Sequence, residues 1–127
     1  MEIKTMKVLI VDDSTVMRKV LVEALVKLNI QDIREVPNGM EAVVALSRDE
    51  FDLILMDWNM PRMTGVEAVR EIRSRGFSMP IIMVTTEADK AKVLEALKAG
   101  ANNYLIKPFT HETIGAKIRE TVKTKTG

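Results

Sequence analysis

Five short apolar runs, each followed by a longer amphipathic segment, constrain the fold of this 127-residue chain more than any other feature. Three of the runs are nearly continuous, and the second and fifth are weaker. Continuous rather than alternating apolarity is typical of strands that are covered on both faces, as in a parallel sheet. The runs lie at Val8–Val11, Ile33–Val36, Leu53–Met56, Ile81–Val84 and Tyr104–Ile106.

The segments between these runs have the apolar spacing and the end signals of helices. The first segment, about Ser14–Leu28, is so apolar that we expect it to be the most buried helix. Side chains that can accept hydrogen bonds mark helix starts, and glycines mark helix ends. The predicted starts are Asn38, Thr64, Thr86 and Thr110, and the predicted ends are Gly76 and Gly100.

Five strand–helix units predict an α/β fold, a single (βα)5 doubly wound parallel sheet with helices on both faces. The natural strand order for such a chain is the flavodoxin-like order 2-1-3-4-5, with a topological switch point between strands 1 and 3. The length suits one domain. We therefore expect a single domain over residues 1–127, with its core at about 6–122 and no second domain.

The composition excludes several functional classes. A net charge of +1 gives no indication of nucleic-acid or membrane-surface binding, and the absence of cysteine excludes disulfides and thiolate metal sites. Apolar runs fall well short of the roughly 20 residues of a membrane span. The N-terminal residues lack a secretory apolar region, so a cytoplasmic location is expected.

Carboxylates follow two of the apolar runs. Asp57 ends the third run, Asp12 ends the first, and Asp13 comes next. In open α/β sheets the functional crevice lies outside the carboxyl ends of the strands, so these three side chains should converge. Ionised carboxylates about 5 Å apart repel by about 3 kcal/mol per pair at an effective dielectric near 20. A compensating cation is therefore expected, and hard oxygen ligands favour Mg²⁺ or Mn²⁺ over zinc.

Two more strand ends complete the predicted site. Thr85 ends the fourth run, and Lys107 follows the fifth. A hydroxyl and an ammonium beside carboxylates and a divalent ion could hold a phosphoryl group. Since an Asp carboxylate can itself act as a nucleophile, Asp57 could form an aspartyl-phosphate.

Four motifs in this order resemble those of the receiver domain of bacterial two-component response regulators. The resemblance covers residues from about 6 to 122, and within the family it is strongest to the single-domain regulators of chemotaxis. The motifs are Val11-Asp12-Asp13, Met56-Asp57 with Met60-Pro61-x-Met63-x-Gly65, Val84-Thr85, and Lys107-Pro108-Phe109.

The resemblance implies a phosphorylation-controlled signalling protein. A histidine kinase would donate a phosphoryl group to Asp57, and Mg²⁺ would be held by Asp12, Asp13, Asp57 and the backbone carbonyl of Asn59. Asn59 and Glu87 would tune hydrolysis and give a short-lived acyl phosphate. The chain would catalyse only its own phosphorylation and dephosphorylation, and would have no output domain.

The resemblance also implies a switch. Thr85 and Lys107 would contact the phosphoryl group, and Tyr104 would rotate inward as Thr85 moves. The surface of helix 4, strand 5 and helix 5 would then change its affinity for a protein partner, such as a flagellar switch protein, and the chain would act as a monomer. The Lys107–Pro108 bond is typically cis in this family. Thr86 departs from the smaller alanine that is common there, and could narrow access or restrict Tyr104.

Other functions stay open. The chain could serve a phosphorelay or regulate a kinase instead of a motor. A Mg²⁺-dependent phosphohydrolase that uses an aspartyl-phosphate generally needs a second carboxylate two residues after the nucleophile, where this chain has Asn59. A flavodoxin-like cofactor carrier would need a phosphate-binding Gly/Ser/Thr loop where Asp12 and Asp13 stand.

Several of these residues also have simpler interpretations. Asp13 could cap the first helix, and Tyr104 could be a static packing aromatic. Trp58 is expected to be partly exposed beside the site, where it would report on binding by fluorescence. The basic residues of helices 4 and 5 are either a solvated surface or a contact for an acidic peptide. They are Lys90, Lys92, Lys98, Lys117 and Arg119.

Overall fold

Each apolar run forms a β-strand whose bounds lie within one residue of the prediction. The computed structural model describes residues 2–86 and 89–126, with side chains described as far as Val122. A short 3-10 turn at Ile3–Thr5 precedes the first strand. The strands are β1 (Lys7–Val11), β2 (Asp32–Val36), β3 (Leu53–Asp57), β4 (Ile81–Thr85) and β5 (Asn103–Ile106).

The strands form one parallel sheet in the order β2-β1-β3-β4-β5, which confirms the predicted topology. Central strands β3 and β4 are buried along their whole length, because helices cover both faces. The edge strand β2 differs, since Asp32, Arg34 and Glu35 are exposed and only Val36 is buried. This exposure accounts for the weaker apolar pattern of that run.

Five helices cover the sheet in two layers. Alternate strand residues point to opposite faces, so each strand contributes to two separate apolar clusters. Helices α1 and α5 pack on one cluster, and α2, α3 and α4 pack on the other. The bounds are α1 (Thr15–Lys27), α2 (Gly39–Arg48), α3 (Gly65–Ser74), α4 (Lys90–Ala99) and α5 (His111–Thr126).

Side-chain caps start most of the helices where the sequence indicated. Asn38 accepts a hydrogen bond from the amide of Glu41 at the start of α2. Thr64 and Glu67 form a reciprocal capping box at the start of α3, which satisfies two amides that the helix itself leaves unpaired. Gly76, with φ +89°, follows the end of α3, and Gly100 ends α4.

The predicted start of α4 is wrong. Thr86 is an exposed residue in a bend after β4, and the helix begins at Lys90. Asp89 is the cap, because its carboxylate accepts hydrogen bonds from the amides of Ala91 and Lys92. An ionised acceptor binds helix N-terminal amides more strongly than a hydroxyl does.

The prediction that α1 is the most buried helix is also wrong. Its buried residues are Leu21, Ala24 and Leu25. Val16 is 74% exposed and Val26 is 53% exposed. The helix contacts the sheet and α5 along one stripe, so the valines on the opposite side stay in water.

Within residues 2–86 and 89–126, every helix is too short or too polar to span a bilayer.

Candidate functional site

The strand register brings the predicted residues to one edge of the sheet. Val11 of β1 lies opposite Met56 of β3, so Asp12 is level with Asp57. Asp57 pairs in turn with Val84, which places Thr85 next along that edge. Parallel strands with matched register therefore deliver these side chains to the carboxyl edge without any special loop.

Three carboxylates meet there, as predicted. One oxygen each from Asp12, Asp13 and Asp57 lies within 4.8 Å of the other two. Asp12 and Asp57 are buried, while Asp13 is exposed. Among the described residues, none donates a hydrogen bond to the buried Asp12 Oδ2. Since a buried acceptor without a partner is costly, a hard cation bound by these oxygens would fit the donor set.

Lys107 is the fixed cation of this cluster. Its Nζ lies 3.2 Å from Asp57 Oδ1, and both side chains are largely buried. Lys107 reaches this place because its amide donates to the Thr85 carbonyl at 2.8 Å, which continues the β4–β5 pairing by one residue. The Lys107–Pro108 peptide bond is cis, as the sequence resemblance implied.

One lysine does not neutralise the acidic cluster. Burial, and next the charge of Asp12, raise the pKa of Asp57 to about 6, although Lys107 opposes the shift. Burial also raises the pKa of Asp12, where the Ser14 amide hydrogen bond opposes it. Both shifts show that the fold disfavours these negative charges when no cation is bound. A divalent ion would relieve that repulsion.

The two predicted switch residues lie on neighbouring strands of the sheet, where Tyr104 pairs with Met83, two residues before Thr85. Thr85 is 1% exposed at the end of β4. Tyr104 is half-buried on β5, and the Lys117 ammonium lies 4.6 Å from its ring centroid. Tyr104 packs against the apolar cluster of α2, α3 and α4, and the cation–π contact links its ring to α5.

Trp58 is not partly exposed, contrary to the prediction. It is 7% exposed and packs in the apolar cluster under α2 and α3. Its amide donates to the Val84 carbonyl at 3.2 Å, and its carbonyl accepts from the Gly65 amide at 2.9 Å. A side chain at position 65 would collide with the Asp57 carbonyl oxygen, so the close approach of α3 to the site requires glycine.

Two further predicted residues are less defined by the structure. Asn59 is exposed two residues after Asp57, and its side chain has no carboxyl group. Glu87, the other residue predicted to tune hydrolysis, lies outside the described residues.

Asp13 does not cap α1, because the Ser14 hydroxyl accepts the hydrogen bond from the Met17 amide.

The structure adds one residue that the sequence did not single out. Arg18 Nη1 donates to the Asp12 carbonyl at 2.6 Å, and Arg18 Nε lies 3.3 Å from Glu35 Oε1. A residue in the first turn of a helix can reach back to the preceding turn. However, no sequence signal distinguishes Arg18 from its basic neighbour Lys19.

Known proteins share this arrangement. Residues 8–119 match the family model of the response regulator receiver domain. A chemotaxis protein CheY homolog of Campylobacter jejuni is 44% identical over 125 residues, covering 96% of each chain. The chain also resembles the solved structure of Vibrio cholerae chemotaxis protein CheY4, with a TM-score of 0.84 and 35% identity over 91% of this chain and 98% of that one.

A second solved structure bears on the carboxylate cluster. It is the receiver domain of a sensor histidine kinase from Pseudomonas aeruginosa PAO1, with a magnesium ion coordinated in its active site cleft. Its TM-score is 0.82, with 32% identity over 93% of this chain and 98% of that one. These matches and the geometry of the carboxyl edge confirm the resemblance that the four motifs indicated. The chain belongs to the response regulator receiver domain family.

Proposed function

We propose that this protein is a receiver that accepts a phosphoryl group on Asp57 from a histidine kinase and thereby changes its binding to a partner. Asp12, Asp13 and Asp57, with the Asn59 backbone carbonyl, would hold Mg²⁺, and Mn²⁺ fits the same oxygen donors. The bound ion would supply positive charge for the oxygens of the transferring group. Thr85 and Lys107 would contact those same oxygens.

The side chains have the chemistry for this transfer. An Asp57 oxygen attacks phosphorus, the new P–O bond forms, and the bond to the donor's imidazole nitrogen breaks. With a pKa of about 6, Asp57 stays largely ionised at neutral pH and can act as the nucleophile. Lys107, within 3.2 Å of Asp57, already lies where charge develops on the phosphoryl oxygens. Phosphorylation would also leave Lys107 free to follow the new anion.

The observation that carries this proposal is the convergence of three carboxylates and one lysine at a single sheet edge. The test is incubation of the purified chain with MgCl2 and acetyl phosphate, followed by intact mass spectrometry. We expect one phosphoryl group per chain in the wild type and none in Asp57→Asn. Asp52→Asn is the matched control, because Asp52 lies at the opposite end of β3, where its carboxylate accepts from the Lys7 amide.

The rival function, a Mg²⁺-dependent phosphohydrolase, gives a different result in the same experiment. It would show many turnovers of a general phosphomonoester such as p-nitrophenyl phosphate. The exposed amide of Asn59, in the position where such enzymes need a carboxylate, argues against it. A phosphoryl group on any residue other than Asp57 would contradict both functions.

The same residue argues for a short-lived acyl phosphate. Asn59 is exposed two residues after Asp57, and in this proposal it tunes the hydrolysis of the acyl phosphate. The decay of the phosphorylated protein, followed by mass spectrometry after removal of the donor, measures the lifetime. Persistence over many hours would contradict this part of the proposal.

The output would come from the surface of α4, β5 and α5. Leu94 and Leu97 of α4 are 51% and 40% exposed, so this surface offers apolar contact area. Lys90, Lys92 and Lys98 lie on the same helix, which suits an acidic peptide, and a flagellar switch protein is the partner that the chemotaxis relatives suggest. We place the protein in the cytoplasm as a monomer. A partner that binds the acetyl phosphate-treated wild type but not treated Asp57→Asn would identify the pathway, whether motor control, phosphorelay or kinase regulation.

A further inference from the structure

The Arg18 guanidinium bridges three elements at the edge of the site. It donates to the Asp12 carbonyl in the β1–α1 turn at 2.6 Å, and it pairs with Glu35 of β2 at 3.3 Å. The Arg18 side chain is only 17% exposed, although Glu35 is 45% exposed. Arg18 therefore ties the first turn of α1 to the backbone that carries Asp12 and Asp13.

Asp13 depends on that backbone more than the other two carboxylates do. Burial fixes Asp12 and Asp57, but Asp13 is exposed, and no described residue donates a hydrogen bond to its carboxylate. Hydrogen bonds flank it on both sides instead. Arg18 holds the carbonyl before it, and Asp12 Oδ1 accepts from the Ser14 amide after it at 2.8 Å. Because the peptide unit is planar, fixing the Asp12 carbonyl fixes the direction in which the chain enters Asp13.

We propose that Arg18 is a positioning residue, which sets the affinity for the divalent ion by holding the Asp13 carboxylate in place through the Asp12 carbonyl. This inference rests on the proposed function of the site as a magnesium centre. Arg18 donates no hydrogen bond to the three carboxylates of the site, and it would position Asp13 through the turn.

Removal of Arg18 has two opposite effects on Mg²⁺ binding, one through its charge and one through its hydrogen bond, so the two can be told apart by experiment. The positive charge of Arg18 acts on the Asp12 carboxylate and weakens its attraction for a cation, so loss of the charge alone would tighten Mg²⁺ binding. Loss of the hydrogen bond to the Asp12 carbonyl would loosen Asp13 and weaken binding. The sign of the change in Kd separates the two effects.

The experiment measures the Mg²⁺ dissociation constant by isothermal titration calorimetry for the wild type and Arg18→Met. Methionine keeps a long side chain with good helix propensity but donates no hydrogen bond. We expect about tenfold weaker binding, as for other groups that orient metal ligands. Lys19→Met removes the same charge from the exposed neighbouring position, and we expect no weakening there.

A double-mutant cycle tests whether the effect of Arg18 on Mg²⁺ binding depends on Asp13. If Arg18 acts through Asp13, Arg18→Met should weaken Mg²⁺ binding much less in an Asp13→Asn background than in the wild type. Equal effects in the two backgrounds, or tighter binding in Arg18→Met, would overturn the inference. Urea unfolding in EDTA checks that the variants fold. Should Arg18→Met be unfolded, Arg18→Lys replaces it, because an ammonium keeps the charge but cannot hold the carbonyl and Glu35 together.

For Arg18→Lys we again expect weaker binding than in the wild type, and an equal or lower Kd would overturn the inference. Failure of the proposed function looks different. In that case the wild type itself would show no saturable Mg²⁺ binding. A wild type that binds while Arg18→Met binds equally well would contradict only the role of Arg18.

Discussion

The ionised carboxylate of Asp57 lowers the free energy of unfolding as long as neither a bound cation nor a phosphoryl group offsets its charge. Burial raises its pKa from 3.8 to about 6, so the fold favours its protonated form. Between those two values the folded chain keeps a proton that the unfolded chain releases. Stability from this group is therefore fully present below about pH 4, falls as the pH rises through 6, and is lost at neutral pH.

Asp57→Asn should accordingly stabilise the metal-free protein at pH 7.5. An amide of the same shape carries no charge to desolvate and removes the repulsion from Asp12, and the pKa shift sets an upper limit of about 3 kcal/mol on the gain. Urea unfolding in EDTA measures the difference in free energy of unfolding between variant and wild type. The difference should shrink at pH 4.5, where Asp57 is protonated in the fold, and an unchanged difference would contradict the electrostatic cause.

The positions of the main residues of the candidate site were predictable from the sequence because each stands at the end of a strand. Asp12, Asp57 and Thr85 need only the strand bounds and the sheet order to be placed side by side. The sequence did not predict the environment of residues whose position depends on side-chain packing. Trp58 follows an acidic site residue, but apolar neighbours bury it. Arg18 reaches the Asp12 carbonyl by a side-chain conformation that no spacing encodes.

Among the helices, α3 bears most directly on the site. Its first residue, Gly65, packs on the Asp57 backbone, and the Thr64–Glu67 capping box fixes where the helix begins. Such reciprocal caps were readable from the sequence because they involve neighbours three residues apart. The start of α4 was not, since Thr86 and Asp89 are both acceptable caps and only the conformation of the chain decides between them.

Thr64→Ala should lower the free energy of unfolding by about 1 kcal/mol, because it leaves the Glu67 amide without its hydrogen bond. Urea unfolding at pH 7.5 measures the loss. Thr64→Ser is the matched control, since the serine hydroxyl can accept the same bond, and it should stay within a few tenths of a kcal/mol of the wild type. Equal losses in both variants would show that the threonine methyl group, rather than the cap, is responsible.

For the molecule as a whole, the strand order follows from the alternation of strands and helices, and it is what unites the carboxylates. Residues of β1 and β3 are adjacent only because β2 lies outside β1. The distribution of burial between helices was harder to predict. Helix α1 is rich in apolar residues, but only Leu21, Ala24 and Leu25 are buried, and composition does not reveal which of its valines stay exposed.

Because the whole fold supports the site, Mg²⁺ should stabilise the entire protein against unfolding. At a concentration tenfold above Kd the gain is about 1.4 kcal/mol, provided that only the folded chain binds the ion. Thermal unfolding with and without MgCl2 measures it, and NaCl at equal ionic strength controls for screening. Asp13→Asn should show a smaller rise in Tm, and an equal rise with NaCl would exclude specific binding.

The charged side chains along the edge strand β2 affect how readily the protein aggregates at high concentration. An outermost strand exposes backbone groups that can recruit a strand from another molecule, and such pairing propagates into fibres. Asp32, Arg34 and Glu35 interrupt that route, because a second strand added there would have to accommodate three exposed charged side chains along one short strand. The second apolar run is thus protected against aggregation by the same exposed charges that weaken its apolar pattern.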